Sequence, residues 1–323
     1  MTMAIRIYET GGPEVLRWEE IEVGRAGPGE ARLRQTAVGL NFLDTYHRSG
    51  LYPLALPAVL GSEAAGVVEE VGPGVREVEP GDRVAYAGVP GAYAQARVIR
   101  ADRLVRLPGE IDERAAAAMM LKGMTAQYLL RRTCPVAAGN VVLVHAAAGG
   151  VGLILCQWAK HLGATVIGTV STDEKAAVAR SHGCDHPIVS SRESFVTRVK
   201  ELTSGRGVRV VYDSIGKDSW DGSLDCLQPL GMMVSYGNSS GPVAPFAPAV
   251  LSAKGSLFLT RPTLMTYTAR RDDLLATANE LFDVVRSGVV RIEINQSYPL
   301  AEAARAQRDL EARRTTGSTV LLP

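Results

Sequence analysis

Val141-Val142-Leu143-Val144-His145-Ala146-Ala147-Ala148-Gly149-Gly150-Val151-Gly152 is the stretch whose reading decides the fold. Four apolar β-formers enter a turn of small residues, and the turn opens an amphipathic segment, Val151 to Leu162, closed by Gly163. Strand, glycine-rich turn and helix N-terminus in that order make an anion site. Unpaired backbone N–H groups and the positive end of the helix dipole point outward together, and a nucleotide pyrophosphate binds there. The small residues of this turn, Ala147, Ala148, Gly149, Gly150 and Gly152, let the phosphates reach that backbone. The spacing is not the full G-x-G-x-x-G fingerprint, so its place between a strand and a helix carries the reading.

The residues that follow continue the pattern. Thr165–Val170 reads as the next strand and Lys175–Ser181 as a helix stopping at Gly183. Ile188-Val189 precedes a helix with Phe195, Val196, Val199 and Leu202 on one face. Val208–Asp213 and Met232–Tyr236 are further strands, the latter after a helix around Leu224–Leu227. Strands and helices alternating at this interval predict βαβ units, an α/β class and a doubly wound parallel sheet of Rossmann type. In such a sheet the ligand lies outside the carboxyl ends of the strands.

The end of the second strand decides between the nicotinamide cofactors. An NAD site carries an Asp or Glu roughly 20 residues past the glycines, bonded to the ribose hydroxyls. Thr169, Val170 and Ser171 stand there instead and do not repel a 2′-phosphate, and Lys175 can neutralise one. Asp173 and Glu174 lie close by, in the first turn of the next helix, where acids are common for dipole reasons alone. NADPH is therefore expected rather than NADH.

Length and charge set the class. A chain of 323 residues accommodates two domains. Its 35 basic and 34 acidic residues leave a net charge of +1, which argues against nucleic acid or an anionic membrane as the main partner. The N-terminal residues Met1–Arg6 hold no apolar run of signal-peptide length, and Ala115–Leu121 is far too short to span a bilayer. The expected location is the cytoplasm. Cys134, Cys156, Cys184 and Cys226 are widely spaced, the five histidines are unclustered, and no metal site is expected. His145, ending the first strand of the nucleotide unit, reads as a hydrogen-bonded turn residue rather than a catalyst.

The first 120 residues have another texture. Short alternating runs such as Ala31–Val38 and Ala65–Val71 are punctuated by Gly11-Gly12-Pro13, Gly27-Pro28-Gly29, Gly72-Pro73-Gly74 and Pro80-Gly81-Asp82. That is the pattern of a mostly β, barrel-like domain. Past Arg261-Pro262 the alternation ends. A helix buries Leu274, Leu275, Ala278, Leu281, Phe282 and Val285, a second runs from about Ala301 to Arg313, and Ser318–Leu322 is a closing strand. This tail is too small for a domain and is expected to complete the first one.

Taken together the motifs resemble the zinc-independent NADPH:quinone oxidoreductases of the medium-chain dehydrogenase/reductase superfamily, the group that includes zeta-crystallin. The resemblance covers nearly the whole chain. It rests on Gly11–Leu16, Asn41–Tyr46, Gly61–Gly66, Gly81–Val84, Leu121–Ala126, the Gly149–Gly152 turn, Tyr212–Gly216, Gly237–Gly241 and Thr260–Pro262. It implies a GroES-like catalytic domain over 1–124, a Rossmann domain over 125–262 and a return over 263–323 that completes the catalytic domain. The zinc alcohol dehydrogenases of that superfamily have Gly-His-Glu where this chain has Gly61-Ser62-Glu63, so a metal-binding imidazole is absent. Alcohol oxidation needs a Lewis acid for the alkoxide, whereas a quinone or polarised enone is already a good hydride acceptor. Such an acceptor needs positioning and a donor for the developing oxyanion.

The resemblance also implies the site. The loop carrying Asn41, Asp44, Thr45 and Tyr46, with Tyr52, is expected to line an inter-domain cleft beside the nicotinamide. Tyr46 or Tyr52 is expected to orient the acceptor and Arg261 to meet negative charge; an ion pair holding the domains together is the alternative role for Arg261. Gly149, Gly150, Val151 and Gly152 are expected at the pyrophosphate, and Ser171 and Lys175 at the 2′-phosphate. Asn41, Thr45, Ser214, Gly237, Asn238 and Thr260 belong at the ribose and nicotinamide. Thr125 and Tyr128 lie on the helix crossing between the domains, and Arg313 closes over the cofactor. Relatives place a tyrosine where this chain has Ser190 or Ser191, and loss of that ring is expected to weaken NADPH binding or relax its preference. Reduction of quinones, by hydride or by single electrons, is the leading expectation. An alkenal or enoyl reductase is the second, and a crystallin-like structural or RNA-binding protein the third, which the balanced charge disfavours. A homodimer is expected through Val250–Leu259 as a strand on the Rossmann sheet edge.

Overall fold

The computed structural model describes residues 1–323 and divides into two units. One comprises residues 1–124, 267–286 and 292–323, the other residues 125–266 and 287–291. In the first, β1 (Thr2–Ile7) pairs antiparallel with β2 (Arg17–Ile21). A larger sheet is laid down by β3 (Glu30–Leu40), β5 (Glu63–Val71), β6 (Arg83–Ala87), β7 (Ala96–Arg100) and β8 (Val105–Arg106), while β4 (Ala58–Val59) joins β1. The inward strand residues Ile5, Leu33, Leu40 and Tyr86, with Leu60 and Tyr93 from the connections, form one apolar core. Between β3 and β4 the chain forms helix α1 (Phe42–Ser49), and after β8 it enters α2 (Glu113–Tyr128). Ala116 to Met120 are fully buried there, so this part of α2 is enclosed around its whole circumference.

The second unit is a six-stranded, wholly parallel sheet. Its strands are β9 (Val141–Val144), β10 (Thr165–Val170), β11 (His186–Val189), β12 (Val208–Asp213), β13 (Leu227–Ser235) and β14 (Phe258–Thr260). They stand in the order β11-β10-β9-β12-β13-β14. Helices α3 (Gly150–His161), α4 (Asp173–Ser181), α5 (Phe195–Leu202) and α6 (Trp220–Asp225) connect them, with the short α7 (Ala249–Ala253) and α8 (Leu264–Tyr267) near the end. Buried Val142, Leu143 and Val144 show why β9 is a continuous apolar run, since strands covered on both faces cannot alternate. The chain then returns to the first unit through α9 (Arg271–Arg286), β15 (Ile294–Pro299), α10 (Ala303–Glu311) and β16 (Ser318–Leu322). Strand β16 pairs antiparallel with β3, Thr319 opposite Leu40. A GroES-like β domain with a Rossmann-type parallel sheet is thus the fold, as the sequence predicts. No helix is long and apolar enough to cross a membrane.

Three local expectations are corrected. The segment from Asn41 to Tyr46 is not a loop, because Phe42–Ser49 is helical with Asn41 as its N-cap. Leu227 opens β13 rather than ending a helix. Val250–Leu259 is not one strand: Pro248 caps α7, Gly255 breaks the chain at φ +107°, and only Phe258–Thr260 pairs with β13. Short apolar runs do not reveal their period, which is why the two boundaries at Leu227 and Val250–Leu259 escaped. Strand β15, with alternately half-buried and exposed polar residues, escaped for lack of an apolar face.

Candidate active site

Strand order reverses between β9 and β12, and the crevice at such a switch point is where an α/β sheet takes its ligand. The turn leaving β9 forms one wall. Ala146 adopts φ +52°, and Gly149 N–H donates to its carbonyl at 2.9 Å. Ala147 N–H donates to Thr169 O on β10 at 3.0 Å. Helix α3 then starts at Gly150 with Gly149 as N-cap, so the N–H groups of Gly150, Val151 and Gly152 have no partner within the helix. A Cβ on Gly152 would collide with the Ala146 carbonyl oxygen and lie 2.8 Å from Ala147 Cα, so no side chain fits where the helix is closest to the turn. This cradle fits a dinucleotide pyrophosphate.

Across the crevice β12 ends at Asp213, whose Oδ1 accepts N–H groups from Ile215 (2.8 Å) and Gly216 (3.0 Å). The loop so formed carries Ser214 and packs backbone to backbone on the loop after β13. Ser239 N–H donates to Ser214 O at 3.1 Å and Ser240 N–H to Ile215 O at 2.8 Å. A Cβ on Gly237 would lie 2.6 Å from Ser214 O, so only glycine permits the approach. Arg261, just past β14, donates from Nη1 to Gly237 O at 3.2 Å. The structure therefore gathers Ser214, Gly237, Asn238 and Arg261, with Thr260 ending β14 opposite Val234.

At the tip of β10, Thr172 caps α4, its hydroxyl accepting the Lys175 N–H at 3.3 Å. The acid next to it is neutralised: Arg192 makes two charge-assisted bonds to Asp173, at 2.8 and 2.6 Å. Glu174 is held below the usual carboxylate range by the Thr172 hydroxyl. Arg192 was not anticipated; its signal, an Arg 19 residues beyond Asp173, is long-range and leaves no local pattern. Ser190 Oγ donates to Val170 O at 3.1 Å and Ser191 Oγ to Ser171 O at 3.0 Å, tying both hydroxyls to β10 and its continuation.

In the first unit, Asn41 and Asp44 form a capping box at the start of α1, Asn41 N–H donating to Asp44 Oδ2 at 2.9 Å. Asp44 also accepts from Ser62 Oγ (2.7 Å) and Tyr93 OH (3.0 Å). Burial pushes its carboxyl up to about 7; the three donors pull it down and the Glu63 charge adds to the rise. Glu63, wholly buried, accepts from Asn41 Nδ2 at 2.9 Å and Leu121 N–H at 2.6 Å, and forms an ion pair with Lys122. Thr45 Oγ1 turns back on its own helix, donating to Phe42 O at 2.8 Å. Tyr46 stands edge-on to Tyr52, with ring centroids 5.2 Å apart.

No three His, Cys, Asp or Glu side chains gather to hold a metal ion, and Asp44 and Glu63 are filled by protein donors; the donor set does not fit zinc. Thr125 and the buried Tyr128 lie on the last turn of α2, and Arg313 is exposed just past α10 at φ +59°. All four cysteines are free and buried. Burial pushes the thiols of Cys134 and Cys226 up, and Cys156 is raised by its hydrogen bond to Cys184 and by burial.

Two family descriptions match the chain: alcohol dehydrogenase GroES-like domain over residues 27–109, and zinc-binding dehydrogenase over residues 150–282. A quinone oxidoreductase of Pseudomonas aeruginosa is 55% identical over the full length of both chains. A 2-haloacrylate reductase of a Burkholderia species is 51% identical, over 100% of this chain and 99% of that one. The crystal structure of Escherichia coli quinone oxidoreductase complexed with NADPH superposes with a TM-score of 0.98 at 49% identity, covering 99% of this chain and 100% of that one. On this likeness, end to end in sequence and in fold, the chain belongs to the quinone oxidoreductase family of the medium-chain dehydrogenase/reductase superfamily.

Proposed function

We propose that the chain reduces quinones with NADPH and without a bound metal. The observation that carries this reading is the glycine cradle at Gly149–Gly152, with no room for a side chain at Gly152, beside a β10 tip whose nearby acid, Asp173, is paired with Arg192. The full-length quinone oxidoreductase relatives support the choice of acceptor. NADPH, when bound, supplies the hydride or the single electrons. The N–H groups of Gly150, Val151 and Gly152 hold the pyrophosphate, and Ser171 and Lys175 take the 2′-phosphate. Ser214, Gly237, Asn238 and Thr260 hold the ribose and nicotinamide, supported by Asn41, Thr45, Thr125, Tyr128, Ser190 and Arg313. Tyr46 or Tyr52 orients the acceptor ring, and Arg261 meets the negative charge that develops on it. Asp44 contributes by holding Asn41 and the start of α1.

Turnover of NADPH with 1,4-benzoquinone, a naphthoquinone, hexenal, a crotonyl thioester and a 2-haloacrylate tests the reading. Quinones are expected to exceed the others in kcat/KM by about tenfold or more, unchanged after dialysis against a chelator. No quinone turnover would refute it. The 51% identity to a 2-haloacrylate reductase favours reduction of α,β-unsaturated carbonyl compounds as the second reading, and a reversed ranking in the same panel would establish that one. The protein is further proposed to be a cytoplasmic homodimer. Its unpaired buried thiols suit a reducing compartment, and β14 leaves one edge of the parallel sheet open with Phe258 56% exposed.

A further inference from the structure

His145, Ser223 and Asp213 are the three residue types of a hydrolytic triad, and none of the roles above uses them as a set. They cannot act as one. All are buried, at 2%, 0% and 0% exposure, and Ser223 Oγ donates to Asp213 Oδ2 at 2.8 Å instead of presenting a nucleophile. What they form is a chain of hydrogen bonds under the switch point. Asp213 Oδ2 accepts from Ser223 and also from Ser219 Oγ at 2.7 Å. The Ser223 hydroxyl proton is thereby committed, so its oxygen must accept from His145 Nε2, 2.9 Å away. His145 Nδ1 is then the bare nitrogen and accepts from Thr169 Oγ1 at 2.8 Å. Burial holds the imidazole below its ordinary pKa, consistent with this neutral Nε2–H form. The ring packs T-shaped with Phe195, centroids 5.1 Å apart, and its orientation is fixed by the two hydrogen bonds.

The chain crosses three strand tips: Thr169 at β10, His145 just past β9 and Asp213 at β12. Its last member sets the loop on the far wall of the crevice, because the other oxygen of Asp213 fixes the N–H groups of Ile215 and Gly216. Gly216 stands at φ +90° and the Gly237–Gly241 loop is docked on it, so the whole wall inherits the orientation of one carboxylate. We propose that His145 is a positioning residue for the ribose–nicotinamide half of the dinucleotide, acting through Ser223 and Asp213 on the 214–216 loop. The proposal rests on the cofactor reading above, while the relay itself is a property of the free protein.

The experiment therefore has two arms. In the first, amide hydrogen exchange of Ile215 and Gly216 is measured in the ligand-free protein for wild type, His145→Phe, His145→Gln and Ser223→Ala. Exchange is expected to accelerate about tenfold in His145→Phe and Ser223→Ala. It should return toward wild type in His145→Gln, whose amide N–H replaces Nε2–H. In the second arm, Kd is measured for NADPH and for 2′,5′-ADP, which lacks the nicotinamide half. His145→Phe and Ser223→Ala are expected to weaken NADPH about tenfold and to change 2′,5′-ADP by less than about twofold. Unchanged exchange at Ile215 and Gly216, or equal weakening of both ligands, would overturn the proposal. Wild-type protein that binds neither ligand would overturn the cofactor reading instead, with the exchange arm still deciding the relay. Should His145→Phe not fold, Ser223→Ala decides both arms, since it cuts the chain by one oxygen atom.

Discussion

Lys175 lies in the first turn of α4, just past the Thr172 cap, and is the cation proposed to meet the 2′-phosphate. Lys175→Ala should raise KM for NADPH about tenfold, the worth of one charge-assisted contact, and leave that for NADH almost unchanged. Equal KM values for NADPH in both proteins would remove the 2′-phosphate assignment. Asp44 gives a second test, in pH. Its folded pKa, about 7, lies above the ordinary 3.8, so the folded state binds more protons than the unfolded chain between these values. Its contribution to stability is therefore full below about pH 4 and is lost as pH rises through 7, a change of about 4 kcal/mol at most. Urea unfolding from pH 4.5 to 8 should show wild type losing stability relative to Asp44→Asn as pH rises, then levelling off. A pH-independent difference would mean that Asp44 does not titrate there. The Ser62 hydroxyl can reverse to accept from the new amide, so the variant keeps its capping role.

At the scale of elements, what the sequence disclosed depended on whether a local pattern carried the physics. The β9 strand, the glycine turn and α3 were legible because apolar run, small residues and helix start follow one another without a break. Helix α1 was missed although its signals are present: Asn41 and Asp44 at capping-box spacing, and Gly50 at φ +80° closing the last turn. Its polar composition hid them. Nothing local announces that Glu63 on β5 meets Lys122 on α2, since the pair is made across 59 residues. That ion pair is buried on both sides, with side chains 7% and 0% exposed. Lys122→Met should cost about 3–5 kcal/mol by leaving a buried carboxylate without its counter-charge. Adding Glu63→Gln should recover part of that loss in urea melts; a double variant as unstable as the sum of the singles would deny the coupling.

For the whole molecule, the parallel sheet was legible and its partner unit only in outline. The return of β16 onto β3 joins residues some 280 positions apart, for instance Thr319 and Leu40, and no periodicity encodes such a pairing. The open edge at β14 yields the prediction at this scale. Phe258→Lys, a charge on an exposed edge residue, should convert a dimer to a monomer in analytical ultracentrifugation while leaving the melting temperature of the monomer intact. A wild type that sediments as a monomer would end that assignment. The placement of the four cysteines has a further chemical outcome. Quinones and enones are themselves electrophiles that arylate or alkylate sulfur, and the attacking species is a solvent-accessible thiolate. With all four thiols buried, the chain presents such acceptors with no accessible thiolate, so thiol arylation is not a route by which its own substrates would inactivate it.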